Sequence, residues 1–395
     1  MSEENGTYDI SYNLFNYGYK ELTQDAFICW LIKWAYYNGT KDEGLKIQKC
    51  GLDFVNALFA KHGKEAPHPL EPDKVKIWQQ DNSIDVLARI GKYVLLVEDK
   101  TGTKEHGKQL NDYYKKVLNE KTKAGKVNKE DILPIYLKTG NQPLGDKLRI
   151  EGSTEYKVFE RKDFLDVIKP CYEAHSIISD FYNHLMHKEE ATNSYEKWRE
   201  NDNENKEINY WSSCEGFFRE LENHLVVINK DNSMVGFDEI KNTWKRSWSN
   251  GNLGVWGWDR VNNRSGGFFG FWWYFKTVES CEVDVAIYLQ LEIKHDKPED
   301  GKLCFKVDAG ELDKGLRSKI KWDCHSRILK AGNKLLRKPN VMRIGCWMTV
   351  AQWDVQCKDG HKQNPWLIFN NANGGPDIPA IIKNLIEAQS ILDRV

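Results

Sequence analysis

Long apolar runs are missing from this sequence. No stretch reaches the length of about 18 consecutive apolar residues that a membrane-spanning helix requires. The first residues, MSEENGTYDISYN, are acidic and polar and contain no apolar segment of the kind found in a signal peptide. We therefore expect no membrane contact and a cytoplasmic location.

Several catalytic and metal-binding signatures are also missing. The nine cysteines are scattered, odd in number and without a CxxC pair, which argues against a disulfide framework and a zinc ribbon. The sequence contains no GxxxxGKS/T, HExxH or GxSxG motif, which argues against a P-loop, a zincin site and a nucleophile elbow. The 395 residues, with 40% apolar and 29% charged residues, are typical of a globular protein with room for two domains.

Helical and strand-like patterns alternate over the first 190 residues, as judged from apolar periodicity and turn residues. In order, the predicted elements are helices 14–37 and 44–62, strands 83–90 and 93–97, helix 105–119, strand 132–137 and helix 164–186. This order predicts an α/β domain over residues 1–190, with a mixed central sheet flanked by helices.

The composition changes after this domain. Residues 191–210 are poor in apolar side chains and predict a charged linker or helical arm. Twelve of the 15 tryptophans lie between Trp198 and Trp366, among strand-like runs and Asn-Gly or Asp-Gly turns, so residues 211–395 predict an aromatic-rich α+β domain. Two interpretations of its aromatic residues stay open. They pack a sheet, or they form a pocket for a modified base or another small planar ligand.

A concentration of lysines stands out against the overall net charge of −1. Residues 100–129 contain nine lysines and three acidic residues, a net charge of +6. Such a segment is either a solvated helix face or a surface that contacts a nucleic-acid backbone. The candidates for backbone contact are Lys104, Lys108, Lys115 and Lys116.

The two strands before this lysine-rich segment bring acidic residues together. If Gly91 and Lys92 form a two-residue hairpin turn, Ile90 faces Tyr93 and the paired residue numbers add up to 183. In that register Asp85 faces Glu98, with Cβ atoms about 5 Å apart. Two carboxylates this close repel each other unless a cation lies between them. The hairpin therefore predicts a site for a hard divalent cation.

Lys100 follows Glu98 by two residues and therefore points to the same face of the strand. An ammonium there can neutralise the charge that develops on a phosphoryl group and can orient the attacking water. Asp85, Glu98 and Lys100 together are the residue types that metal-dependent phosphodiester hydrolysis needs.

These residues and their neighbours resemble the PD-(D/E)XK nuclease superfamily over residues 12–187. The resemblance is to the bacterial branch, with a Glu in a leading helix, then Ile-Asp, then Glu-x-Lys, then a helix that starts with Gln-Leu. Here the corresponding residues are Glu21, Asp85, Glu98, Lys100 and Gln109. Relatives often carry Asn where this chain has Asp99, whose side chain points away from the predicted site by strand parity.

The resemblance implies a restriction-endonuclease-like fold and a nuclease that acts on DNA, with a role in prokaryotic defence or DNA processing. It implies that Asp85, Glu98 and the backbone carbonyl of Asp99 bind Mg²⁺, for which Mn²⁺ would substitute. It further implies that Lys100 is the catalytic lysine and that Glu21 and Gln109 border the metal and the phosphate.

Other classes of function stay open in the sequence. One alternative is a nuclease-fold module that binds nucleic acid or a partner without cutting, and another is a sensor whose second domain gates the nuclease with a ligand. The sequence does not distinguish an endonuclease from an exonuclease, does not exclude RNA as the substrate, and is compatible with a homodimer. A second set, Asp284, Glu292 and Lys294, lies within one predicted strand, where about 26 Å separates the two carboxylates, so we do not predict a metal site there.

Overall fold

The computed structural model describes residues 13–18, 20–105, 107–198, 210–231, 257–261, 267–294, 297–332, 336–337, 343–353, 356–358, 361–363, 367–368 and 374–395. The chain divides into two compact units, Met1–Gln142 with Lys147–Glu190 and Pro143–Asp146 with Ala191–Val395. Of the predicted linker over 191–210, residues 199–209 lie outside the described residues. In the described parts of the chain, no helix is both long enough and apolar enough to span a membrane.

The helices up to residue 193 are α1 (Lys20–Trp34), α2 (Asp42–Ala60), α3 (Gln109–Leu118), α4 (Leu144–Ser153), α5 (Arg161–Ile168) and α6 (Ser176–Asn193). The strands of the first unit are β1 (Val75–Asp81), β2 (Ile84–Ile90), β3 (Tyr93–Lys100), β4 (Ile132–Lys138) and β5 (Lys157–Glu160). Short 3₁₀ segments occupy Leu14–Asn16, Pro72–Lys74, Lys129–Asp131, Lys169–Ala174 and Ser194–Lys197.

The five strands form one sheet in the order β1-β2-β3-β4-β5. The pairs β1–β2 and β2–β3 are antiparallel, whereas β3–β4 and β4–β5 are parallel. Both antiparallel connections are tight turns with positive φ, at Asn82 and Ser83 in the first and at Gly91 in the second. The structure confirms the predicted α/β class, a mixed sheet flanked by helices.

Two hydrophobic clusters bury the two faces of this sheet. One cluster joins α1, α2, α5 and α6 to alternate residues of the central strands, including Val86 of β2 and Val97 of β3. The other joins α3 to the intervening residues, including Leu87 and Leu96. Full burial of each such aliphatic side chain contributes about 1.5–3 kcal/mol, so the central strands form a rigid support. Glu98 to Lys100 at the end of β3 therefore have fixed positions.

The single helix predicted over 164–186 is wrong. The chain forms α5, a 3₁₀ segment and α6 in its place, and the backbone of His175 is extended with φ −166° and ψ 145°. Pro170 lies at the start of the 3₁₀ segment, and proline lacks the N–H that a continuous α-helix would use there. Apolar periodicity alone does not report this interruption.

The second unit contains a six-stranded antiparallel sheet and three long helices among the described residues. The helices are α7 (Tyr210–Asp231), α8 (Lys314–Gly332) and α9 (Ile378–Asp393). The strands are β6 (Gly257–Val261), β7 (Phe268–Ser280), β8 (Val283–Lys294), β9 (Lys297–Asp308), β10 (Leu336–Arg337) and β11 (Trp347–Trp353), in the order β10-β11-β9-β8-β7-β6. A separate hairpin pairs β12 (Gln356–Lys358) with β13 (His361–Gln363).

The aromatic run of β7 divides between the two faces of this second sheet. Phe269, Phe271 and Trp273 are buried in the hydrophobic core, where Trp258 of β6 joins them. The two aromatic residues that follow Trp273 also pack against this core, so packing accounts for most of the run. The predicted pocket for a planar ligand would have to use the remaining aromatic residues, and it stays a prediction.

Candidate active site

The hairpin β2–β3 has the register that the sequence predicts. Ile90 pairs with Tyr93, and the ladder continues to Val86 and Val97. Asp85 and Glu98 are the residues directly after the last pair of this ladder, and Asp85 is close enough to Glu98 for its charge to raise the pKa of that carboxyl. The backbone N–H of Asp99 donates to Oδ2 of Asp85 over 2.8 Å, which ties the Asp85 carboxylate to the end of β3.

Lys100 lies beside both carboxylates. Its Nζ is 2.5 Å from Oε1 of Glu98 and 4.0 Å from Oδ2 of Asp85. The Glu98 side chain is 1% exposed and the Lys100 side chain 9%, so both charges are shielded from water. The structure therefore brings together the three groups that the sequence singled out.

The electrostatics of the site are dominated by negative charge. Burial, followed by the charge of Asp85, raises the pKa of Glu98 from its ordinary 4.5 to about 8, although Lys100 opposes the shift. Burial by itself would lower the pKa of Lys100, but Glu98, Asp85 and Glu21 outweigh it and the pKa is raised. One ammonium is thus too little positive charge for the acidic groups around it.

A second acidic layer lies on the other face of β3. Asp99 points there, as strand parity predicts, and it is fully buried. Nε2 of Gln24 donates to Oδ1 of Asp99 over 2.5 Å, and Oε1 of Gln24 accepts from the hydroxyl of Thr139 over 2.9 Å. Burial is the main reason why the pKa of Asp25 is raised to about 7 and that of Asp99 well above its usual range. Helix α1 therefore supplies a buried polar layer behind the hairpin.

Glu21 approaches the residues that follow β3. Its Oε1 accepts from the backbone N–H of Thr101 over 3.4 Å and from the hydroxyl of Thr103 over 3.2 Å. The leading helix thus brings Glu21 close to Lys100, whose pKa it helps to raise.

The remaining predicted residues lie on or next to α3. Gln109 begins the helix, and its amide donates to the hydroxyl of Tyr113 over 3.0 Å. Lys108 precedes the helix and is exposed, as is Lys115 in its last turn. Lys116 donates to the backbone carbonyl of Asn82 over 2.8 Å. Lys104 lies in the segment between β3 and α3 and is half-buried.

Sequence reasoning missed several residues at or next to this site. Lys138 of β4 pairs with Lys100 in the parallel ladder and is 2% exposed. Tyr156 is fully buried, and its pKa is raised well above the usual range by burial and then by the charge of Glu98. Gln24 and Asp25 follow Glu21 by three and four residues, and this helical spacing was a usable signal.

The donor set fits a divalent cation. Apart from the Lys100 contact, the two buried carboxylate oxygens of Glu98 have no partner among the described residues. Carboxylate and carbonyl oxygens are the ligands that Mg²⁺ and Mn²⁺ prefer. Within the described chain, no group of three or more His, Cys, Asp or Glu side chains could hold a metal ion. The predicted set differs from such a group because it uses two side chains and one backbone carbonyl.

A model of the PD-(D/E)XK nuclease superfamily matches residues 8–224, more than half of the chain. The match covers the mixed sheet and the Asp85, Glu98 and Lys100 positions that end its central strands. This chain belongs to the PD-(D/E)XK nuclease superfamily. No curated protein and no solved structure matches it.

Proposed function

We propose that this protein is a Mg²⁺-dependent nuclease that hydrolyses phosphodiester bonds of DNA. The observation that carries the proposal is the buried Glu98 carboxylate, which has the Lys100 ammonium at 2.5 Å, while the same ammonium lies 4.0 Å from Asp85. A structural strand pair gains nothing from such a costly set of charges, whereas a metal-dependent hydrolase uses it. Superfamily membership supports nuclease activity in general.

Each residue of the proposed site has a separate role. Asp85, Glu98 and the backbone carbonyl of Asp99 would hold Mg²⁺, or Mn²⁺ in its place. When bound, such an ion lowers the pKa of water and stabilises negative charge on a phosphoryl oxygen. The Lys100 ammonium orients the attacking water and offsets the charge on the phosphoryl group. Glu98 must release its proton to act as a ligand, because its pKa without a cation is about 8.

Glu21 and Gln109 border the site on two sides in this proposal. Glu21 accepts hydrogen bonds from Thr101 and Thr103, so its carboxylate is placed at the end of β3, where a water or phosphate would enter. Gln109 starts α3 on the side of the sheet that carries Leu96 and Glu98. In this role both would hold substrate or water beside the cation.

DNA is the proposed substrate because the lysine-rich segment over residues 100–129 directly follows β3, which carries Glu98 and Lys100. Lys104, Lys108, Lys115 and Lys116 would contact the phosphate backbone, which supplies sequence-independent affinity. A cytoplasmic location and a role in defence or DNA processing complete the proposal.

Cleavage of supercoiled plasmid and single-stranded DNA tests this function. Mg²⁺ or Mn²⁺ should support cleavage and EDTA should abolish it, with a parallel RNA substrate as the test of nucleic-acid class. Asp85→Ala and Lys100→Ala should each lower the rate by about 100-fold or more, because each removes charge stabilisation that water cannot replace. Wild-type rates in both variants, or cleavage that persists in EDTA, would remove the assignment.

A further inference from the structure

We propose that Gln80 is a positioning residue for the metal site: its amide, anchored on Asp25, fixes the carboxylate of Asp85 and so strengthens binding of the divalent cation. The inference rests on the proposed function in so far as Asp85 is taken as a metal ligand. Gln80 lies in β1, outside the motifs that drew attention to the hairpin β2–β3.

Gln80 lies opposite Asp85. In the β1–β2 ladder, Gln79 pairs with Val86 and Asp81 with Ile84, so Gln80 and Asp85 occupy the position between two regular pairs. Nε2 of Gln80 donates to Oδ1 of Asp85 over 3.0 Å and to Oδ2 of Asp25 over 3.1 Å. A single amide group therefore connects a buried carboxyl of α1 to a predicted metal ligand.

The backbone of Gln80 is in an unfavourable conformation. Its φ is +54°, a value that residues other than glycine rarely adopt. The two turn residues Asn82 and Ser83 also have positive φ, but a two-residue hairpin turn requires this of its own central residues and not of Gln80. Strain of this kind is maintained where the surrounding structure gains from it, most often at functional sites.

The chemistry of the amide suits this place. The two N–H groups of a glutamine amide can each serve one carboxylate, and here the amide nitrogen lies between Asp25 and Asp85. Because the group is neutral, it reduces the repulsion between the two acids without adding a charge that competes with a cation. Oδ2 of Asp85 is held by the N–H of Asp99, so both oxygens are oriented and each keeps a second lone pair for a metal.

Residues that hydrogen-bond to a metal ligand hold that ligand in the orientation needed for binding. Their loss lowers metal affinity by about 10- to 100-fold. The chain offers a matched control in the adjacent residue. Gln79 is also exposed on β1, and its Nε2 also donates to α1, to the carbonyl of Leu22 over 3.1 Å. Gln79 therefore has the same side chain and a similar environment, but its hydrogen bond goes to α1 and not to Asp85.

The experiment is calorimetric titration of the full chain with Mn²⁺ for wild type, Gln80→Met and Gln79→Met. Methionine keeps the length of the side chain and removes both donors. We expect Kd for Mn²⁺ to rise about tenfold in Gln80→Met. In Gln79→Met it should stay within about twofold, as for other surface substitutions. Cleavage should show the same split, with a higher half-saturating Mn²⁺ concentration in Gln80→Met and a rate at saturating Mn²⁺ close to that of wild type.

A third variant separates positioning from folding. Gln80→Gly removes the amide and accepts φ +54° without strain. It should therefore bind Mn²⁺ as weakly as Gln80→Met, while its Tm is no lower than that of wild type. Equal Kd values in wild type and Gln80→Met, an equal loss in Gln79→Met, or a wild type that binds no Mn²⁺ would each overturn the proposal. A chain that cleaves nothing but still shows the selective Kd change would refute the nuclease proposal and leave the positioning role intact.

Discussion

Two sets of the same three residue types occur in this chain: a hairpin set, Asp85, Glu98 and Lys100, and a strand set, Asp284, Glu292 and Lys294. In the hairpin set a turn folds the chain back, so the two acids lie on adjacent strands with the lysine in contact. In the strand set all three residues belong to β8, and the eight residue steps from Asp284 to Glu292 correspond to about 26 Å of extended chain.

The surroundings differ as much as the spacing. Asp284 and Lys294 are exposed to solvent. Glu292 has partners of its own, since its Oε1 accepts from Nε2 of Gln290 over 2.9 Å and lies 3.8 Å from Nζ of Lys306. By contrast, the hairpin set places its charges at the ends of strands that are buried on both faces. A turn between the acids, more than the residue types, therefore brings two carboxylates and a lysine close together.

The largest effect that separates the two sets is expected on catalysis. Glu98→Gln keeps the size of the side chain and removes the negative charge next to Lys100, so cleavage should fall by about 100-fold or more. Glu292→Gln makes the same change in the strand set, where Gln290 and Lys306 remain to satisfy the amide oxygen, and cleavage should stay within about twofold of wild type. Initial rates on supercoiled plasmid in Mg²⁺ measure both.

Thermal unfolding of both variants without metal is the control for folding. A similar loss of activity in both variants would mean that the second unit takes part in catalysis and that the contrast between the sets is wrong.

The next largest effect is expected on stability to unfolding, which should depend on pH and on bound metal together. Since the folded pKa of Glu98 is about 8 and its ordinary value is 4.5, the folded protein holds a proton that the unfolded chain releases between these values. In EDTA the contribution of Glu98 to stability is therefore fully present below about pH 4.5 and is lost as the pH rises to about 8. At higher pH a cation can take the place of the proton.

Mg²⁺ at 100 times its Kd should contribute about 2.7 kcal/mol, which corresponds to a Tm increase of about 5–10 °C for a unit of this size. The increase should be larger at pH 8.5 than at pH 6, where protons compete, and it should disappear in Glu98→Gln. Differential scanning calorimetry at the two pH values, with and without Mg²⁺, measures it.

Glu222 in the second unit provides a control for this test. Burial also raises the pKa of Glu222 to about 8, but its Oε2 accepts from the backbone N–H of Leu144 over 2.9 Å and from Nε1 of Trp258 over 3.2 Å. Glu222→Gln should flatten the pH dependence of unfolding and leave the Mg²⁺ effect unchanged. A Mg²⁺ effect that vanishes in this variant would show that the cation does not bind at the hairpin.

The two units also show what a sequence can predict. The hairpin register followed from one glycine turn and two apolar strands, because a two-residue turn leaves little choice of pairing. Strand β1 was missed because it is a partly exposed edge strand whose residues do not alternate regularly between apolar and polar. Strand β5 has only four residues and offers little pattern.

The missed residues of the site share a physical reason. Lys138 lies beside Lys100 only through the parallel pairing of β3 with β4, which local sequence does not specify. Tyr156, in the segment before β5, is near enough to Glu98 for that charge to raise its pKa. The position of the Gln80 side chain depends on a backbone conformation with positive φ, which a glutamine does not predict. Contacts fixed by distant pairing or by strain become visible only in three dimensions.

The smallest expected effect tests the basic segment that follows the hairpin set. Lys108→Gln with Lys115→Gln removes two exposed charges, whereas Lys116 is left in place because it holds the carbonyl of Asn82. Each lost phosphate contact lowers the slope of log K against log salt by about 1, so the double variant should lose about 2 from the slope for DNA binding. Affinity near physiological salt should fall several-fold, with catalysis at saturating DNA unchanged.

The matched control is Lys314→Gln with Lys319→Gln, two exposed lysines on α8 of the second unit. Fluorescence anisotropy of labelled DNA at several salt concentrations, in Ca²⁺ to prevent cleavage, compares the two double variants. If both lower the slope equally, DNA contacts are spread over both units and α3 has no special role. If neither does, the lysine-rich segment is a solvated surface, and the phosphate contacts belong to other residues.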